Sequence, residues 1–189
     1  PGTLYLSATR YKLNDYRPYL YKSTNGGQKW ECINGDYPGT EISRVIREDP
    51  ATPGLLFVGS ETGIFISTND GKNWQKLHGN FPIVPVYDMK IKLDDLVVGT
   101  HGRSFWILDD LKLLSQYKNK PSGFQLYEPE ISTYGSWYSA LNSSNPDFDG
   151  TSDSGGVNPA NGVVLYYNLS KVTDSIPLKL RVYDAQGKL

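Results

Sequence analysis

Sulfur is nearly missing from this 189-residue chain, which has one Cys and one Met. The lone Cys32 excludes an internal disulfide and cannot by itself hold a zinc ion. No stretch approaches the roughly 20 apolar residues that a membrane-crossing helix needs. Excess charge of one sign is missing as well: 19 Lys and Arg stand against 20 Asp and Glu, for a net charge of −1. The basic residues are scattered and form no stripe, so nothing selects a nucleic acid or an anionic membrane as partner. An initiator Met and a signal peptide are absent too. The chain opens Pro1-Gly2-Thr3-Leu4-Tyr5 and closes within a strand-like pattern. Both ends read as cut, and targeting information is expected outside the sequence.

Aromatic and turn-forming residues are abundant. There are 14 Tyr, 6 Phe and 4 Trp, together with 19 Gly and 12 Pro, at 38% hydrophobic residues overall. Aromatic residues favour strands, while Gly and Pro punctuate them, so the composition predicts many short strands joined by many turns.

Two segments repeat. Tyr19-Leu-Tyr-Lys-Ser-Thr-Asn-Gly-Gly-Gln-Lys-Trp30 matches Ile64-Phe-Ile-Ser-Thr-Asn-Asp-Gly-Lys-Asn-Trp74. Ser23 to Ser67, Gly27 to Gly71 and Trp30 to Trp74 share one offset, within the ~40–50-residue period of four-stranded propeller blades. The preceding strands repeat too: Leu4–Ala8, Leu56–Ser60 and Leu96–Thr100 correspond. Further upstream, Ile42–Glu48 aligns with Val86–Lys92. Naming blade strands A to D outwards from the axis, the first blade holds B, C and D, the second all four, and the third A, B and C. Asp109 to Tyr117 reads as a short helix, with Asp favoured at its start, and Phe124–Tyr127 as a returning outer strand.

The repeated element has a physical logic. Its Asn side chain accepts backbone N–H groups in a tight turn, Gly supplies positive φ, and Trp packs over the hairpin. With Ser23, Asn25, Gly27 and Trp30 in one copy and Ser67, Asn69, Gly71 and Trp74 in the other, it resembles the Asp-box, Ser-x-Asp-x-Gly-x-x-Trp, of sialidases, sortilin-type receptors and xyloglucan-degrading enzymes. Asn stands where that family prefers Asp, and the third repeat lacks the box. The stretch Val98-Gly-Thr-His-Gly-Arg-Ser-Phe-Trp-Ile-Leu-Asp-Asp110 is similar to a signature ending the propellers of large secreted bacterial proteins, with Ser104 in place of Gly. The resemblance implies an all-β fold: a partial β-propeller of four-stranded antiparallel blades over residues 1–127. It also implies an extracellular or periplasmic location.

In such a propeller the boxes lie away from the ligand face, so these residues are structural. The B–C connections share the ligand face, which selects Arg10, Tyr11, Tyr16 and Arg17 in the first and longest connection, Glu61 in the second, and His101 and Arg103 in the third. Arg and Tyr on an enlarged loop suit a polar or sugar-like ligand. The same residues equally suit covering the mouth or contacting a neighbouring domain. No nucleophile motif accompanies His101; its imidazole and Arg103 are expected to brace the loop against Asp109 or Asp110.

From residue 128 the pattern changes. Residues 128–157 read as a linker or long loop, carrying Trp137 and Tyr138, a sequon at Asn142, and Asp147, Asp149 and Asp153 without calcium-loop grammar. Residues 158–189, with strands at Val163–Leu169 and Ile176–Tyr183 and a second sequon at Asn168, resemble the opening strands of an immunoglobulin-like module.

The reading is a propeller-based binding or interaction module of a large exported protein, facing a protein, peptide or glycan, with no metal or cofactor. Its other partners are the remaining blades of the parent chain, and self-association is expected where apolar flanks stay uncovered. The alternative is a non-catalytic portion of a glycoside hydrolase, sialidase-like or xyloglucanase-like. Such an enzyme needs two carboxylates roughly 5–9.5 Å apart. Only Glu61 and Asp88 fall near the ligand face or axis.

Overall fold

The computed structural model describes residues 2–117, 123–132, 162–169 and 179–188. They form an all-β partial propeller of consecutive antiparallel sheets. β1 (Leu4–Arg10) leads through a 3-10 turn at Tyr11–Leu13 to β2 (Asp15–Ser23) and β3 (Glu31–Cys32), in the order β1-β2-β3. β4 (Ser43–Glu48), β5 (Leu56–Ser60), β6 (Ile64–Ser67) and β7 (Gln75–Lys76) make a complete four-stranded sheet. β8 (Val86–Lys92), β9 (Asp95–Thr100) and β10 (Phe105–Leu108) make the third, followed by helix α1 (Leu111–Tyr117). The repeat assigned these strands to their sheets correctly.

The second sheet has two apolar faces because it is covered on both sides. Leu20 of β2 packs with Ile46, Leu56, Val58 and Phe65 of the second sheet. On the opposite face of that sheet, Phe57, Ile64 and Ile66 pack with Val86, Met89 and Val98 of the third. Alternation along each strand sends successive side chains to opposite neighbours. Burying a side chain of this size is worth roughly 1.5–3 kcal/mol, so the contacts between sheets hold the stack together.

The inner strands correct one alignment. Ile46 pairs with Val58 as Met89 pairs with Val98, and Val45 with Gly59 as Asp88 with Gly99. Arg44 therefore corresponds to Tyr87, one residue away from the alignment of Ile42–Glu48 with Val86–Lys92. Both strands carry a bulge, between Ser43 and Val45 and between Val86 and Asp88. A bulge breaks the alternation by which such strands are matched, and a one-residue slip sends every side chain to the other face.

The C-terminal region also departs from expectation. Gln125–Leu126 (β11) does not join the third sheet as an outer strand; it pairs with Tyr167–Asn168 (β12). Of the strand expected at Val163–Leu169 only β12 forms, and residues 179–183 lie outside any strand. Trp137, Tyr138, Asn142, Asp147, Asp149 and Asp153 fall outside the described residues, as does the start of the Ile176–Tyr183 segment.

Gly59 and Gly99 occupy equivalent positions but different surroundings. A Cβ on Gly59 would lie 2.6 Å from a methyl of Val86 and 2.7 Å from one of Val45, whereas one on Gly99 meets nothing nearer than 3.5 Å. The third sheet's far face is open there: Phe105 is 77% and Ile107 60% exposed, against 2% and 9% for their counterparts Ile64 and Ile66. Gly59→Ala should therefore cost ~1–3 kcal/mol through overpacking, lowering Tm by roughly 2–4 °C for each kcal/mol. Gly99→Ala should stay within about 0.5 kcal/mol of the parent. Thermal unfolding followed by near-ultraviolet circular dichroism reads both, and equal losses would contradict the packing.

Candidate functional site

The two repeated turns have matching hydrogen bonds. In the first, Ser23 Oγ accepts from the Gly27 N–H at 2.9 Å and donates to Asn25 Oδ1, which accepts the Lys29 N–H at 2.8 Å. In the second, Ser67 Oγ accepts from Gly71 at 2.9 Å, and Asn69 Oδ1 accepts from Asn73 at 2.9 Å. Gly27 and Gly71 have φ of 91° and 81°, the region that glycine enters without strain. The tryptophans differ because their neighbours differ. Trp74 is buried, its Nε1 donating at 3.0 Å to the carbonyl of Ile33, just beyond β3, while Trp30 has no counterpart of that contact among the described residues and stays exposed. These turns follow β2 and β6, at the end of the sheets opposite to the β1–β2, β5–β6 and β9–β10 connections.

At that other end the three connections are tied together through two residues that the sequence did not single out. The Arg44 guanidinium lies between two tyrosines, 4.5 Å from the Tyr87 ring and 5.8 Å from the Tyr11 ring. Glu61 accepts a charge-assisted bond from it. Tyr87 in turn stacks on His101 with ring centroids 4.9 Å apart, and the backbone N–H of His101 donates to the Pro85 carbonyl. Tyr11, Arg44, Glu61, Tyr87 and His101 thus form one continuous ladder across three sheets.

The inner-strand bulges explain why Arg44 and Tyr87 reach this end. A bulge leaves one residue unpaired and re-aims its side chain. Arg44 is that residue in β4 and Tyr87 in β8. A guanidinium over aromatic faces is worth about 0.5–2 kcal/mol at each contact, depending on exposure. The planar ion also keeps free N–H groups for a further acceptor.

Of the remaining candidates, Arg10 and Arg17 converge on Asp15. Arg17 grips it with Nε at 3.0 Å and a terminal nitrogen at 2.8 Å, and Arg10 approaches to 3.6 Å. The hydrogen bonds from Arg17, then from the Tyr19 hydroxyl, hold the Asp15 carboxyl far below its ordinary range. Tyr16 is exposed. Arg103 does not brace the loop against Asp109 or Asp110 among the described residues. Instead its carbonyl accepts the Trp106 Nε1 proton at 2.9 Å and its N–H donates to Thr100 Oγ1. Arg10, Tyr11, Lys12, Leu13 and Arg44 line a cleft of 480 Å³ beside the ladder.

A second cavity, of 330 Å³, lies where α1 and the third sheet meet residues 128–132 and 162–166. Asp95, Asp109, Asp110, Glu128 and Glu130 line it with Lys112, which pairs with Glu128 at 3.3 Å. The Tyr166 hydroxyl donates to Asp110 at 2.9 Å and fastens the C-terminal segment there. No group of three or more potential metal ligands forms among the described residues.

No family model matches this chain, and no curated protein does. Among solved structures it is similar to one described as YCF48 bound to D1 peptide, at 22% identity and a TM-score of 0.37. The match covers 49% of this chain and 30% of that one. A likeness of that degree fixes neither a family nor a partner.

The acidic cavity has a consequence for pH. Burial, then the hydrogen bond and charge of Asp110, raise the Glu130 carboxyl above its usual 4.5, and burial with Asp109 raises Asp95. Raised carboxyl values mean that the folded junction binds more protons than the unfolded one. Its stability therefore falls as pH rises through the raised values and recovers as pH drops back through them. Amide exchange at residues 162–169 should slow as pH is lowered through the raised values, relative to intrinsic rates, and Glu130→Gln should reduce that change.

Proposed function

We propose that residues 1–127 are Asp-box blades of a larger propeller in an exported protein, and that this propeller is an interaction module. Its ligand face carries the ladder Tyr11–Arg44–Tyr87–His101 and the arginines around Asp15. Residues 128–157 act as a linker or long loop, and 158–189 as the opening of an immunoglobulin-like module. The reading rests above all on the ladder. It spends a guanidinium, two phenol rings and an imidazole on an accessible end of the sheets, where the core gains little from them.

Such a surface suits a protein or peptide segment, or a glycan. Tyrosine rings offer broad contact at low conformational cost, and arginine offers directional donors to carbonyl or carboxylate oxygens. Tyr11, Tyr87 and His101 are all at the surface, and Leu13 adds an apolar contact beside them. Hydrolysis of a glycoside fits less well. Glu61 is ion-paired to Arg44 and Asp88 to Arg47, so each carboxylate stabilises an arginine rather than standing ready as acid or nucleophile.

Screening the chain against peptide and glycan arrays tests the proposal. A ligand of this face should bind roughly tenfold more weakly to Arg44→Ala or Tyr87→Ala, measured at a temperature where both variants remain folded. Hits that ignore both substitutions would move the binding site elsewhere, and turnover of a glycoside would replace binding with catalysis.

A further inference from the structure

Asparagine is followed by glycine at three places, Asn25–Gly26, Asn34–Gly35 and Asn161–Gly162. Asn161 lies outside the described residues, and the other two pairs have opposite surroundings. Asn25 and Gly26 are both exposed, in the turn that follows β2. Asn25 Oδ1 accepts the Lys29 N–H at 2.8 Å and the Ser23 hydroxyl at 3.0 Å, whereas no hydrogen bond holds its Nδ2 among the described residues. Gly26 has a φ of 69°, and a Cβ built on it would meet nothing within 4 Å. A single bond, from its N–H to the Gly2 carbonyl at 2.8 Å, restrains the nitrogen.

Asn34 is fastened at both ends of its amide. Its Oδ1 accepts the Leu20 N–H at 3.0 Å, and its Nδ2 donates to the Pro18 carbonyl at 3.0 Å. Gly35 is wedged against the second repeated turn, where a Cβ would lie 2.6 Å from the Gly71 carbonyl oxygen. Neither the side chain nor the backbone of this pair can swing without breaking contacts between β2 and the second sheet.

We propose that Asn25 is a site of spontaneous deamidation, with water as the co-reactant, and that Asn34 is shielded from it. The Gly26 backbone nitrogen gives its proton to a solvent base and attacks Cγ of Asn25. The new N–Cγ bond closes a succinimide ring, the Cγ–Nδ2 bond breaks, and ammonia leaves with a proton taken from solvent. Water then opens the ring at either carbonyl: attack at Cγ leaves aspartate at position 25, and attack at the main-chain carbonyl leaves an iso-aspartyl linkage. The turn favours the first step in three ways. The nucleophile is adjacent and carries no side chain to obstruct it. Both donors on Oδ1 already stand where negative charge develops during the attack. The one restraining bond lies in an exposed turn, where local opening costs little.

The two products differ in consequence. Aspartate accepts the same two donors through charge-assisted bonds, so the turn persists. The iso-aspartyl linkage takes Cγ and its oxygen into the main chain and lengthens it by a methylene, so Lys29 loses its acceptor. This chemistry sits at the end of the sheets away from the ladder and is independent of what that face binds.

The test is incubation of the full chain in mildly alkaline buffer, folded and in denaturant. Each sample is then digested and mapped by mass spectrometry, with fragmentation that separates aspartyl from iso-aspartyl peptides. In the folded chain the amide at Asn34 should be lost roughly tenfold or more slowly than that at Asn25, and both products should appear at position 25. In denaturant the two amides should be lost at similar rates. Equal loss at Asn25 and Asn34 in the folded chain would overturn the proposal. An Asn25 amide that survives folded but not in denaturant would do so too, by showing that the turn protects it. Aspartate without any iso-aspartyl product would rule out the cyclic route. Hydrogen exchange at the Lys29 amide should stay slow in Asn25→Asp, and its loss of protection there would contradict the persistence of the turn.

Discussion

Everything in this structure depends on sheets covering one another's apolar faces. β3 and β7, with two residues each, are too short to stand on their own ladders. What holds them is the layer formed where Phe57, Ile64 and Ile66 meet Val86, Met89 and Val98, and its counterpart around Leu20, Val58 and Phe65. The closeness of that contact is visible at Gly59, where a single methyl group would collide with Val86. Such packing tolerates small residues at a few defined places and bulky ones everywhere else.

The same constraint decides how side chains are shared between core and surface. Where a sheet has neighbours on both sides, every residue of β5 and β6 is buried. Where one neighbour is missing, alternation returns, as in β10 with its exposed Phe105 and Ile107. Trp30 and Trp74 show this within one motif: identical turns, but among the described residues only Trp74 finds a carbonyl to bond, that of Ile33 just beyond β3. The motif therefore specifies the turn, and the neighbouring chain specifies what becomes of its tryptophan.

Much of the fold was legible because periodic features survive in a linear sequence. The Ser-x-Asn-x-Gly-x-x-Trp turns mark the same point in two successive sheets, and their hydrogen bonds are local, so residue type alone predicts them. The candidate site was legible only in part. Tyr11, Glu61 and His101 follow from loop position, but Arg44 and Tyr87, which join them, sit on bulges. A bulge leaves no signature in polarity, and aligning the inner strands by their apolar pattern placed Arg44 opposite the wrong partner. The pairing of β11 with β12 was hidden for a different reason. It joins residues more than 40 positions apart through two residue pairs, too few for any pattern to betray.

The ladder and the sheet packing are linked through those bulges. An inner strand must keep Val45 or Met89 on the layer between sheets while releasing one side chain toward the end of the stack. Regular alternation cannot do both, since turning one residue outward would turn its neighbours away from the core. The bulge decouples the two demands: Ser43 and Val45 both stay buried although Arg44 between them reaches Tyr11, Tyr87 and Glu61. The irregularity recurs at Tyr87 in the third sheet. Surface chemistry at this end can therefore vary without disturbing the layer beneath it, which is the property a binding face on a repeated scaffold requires.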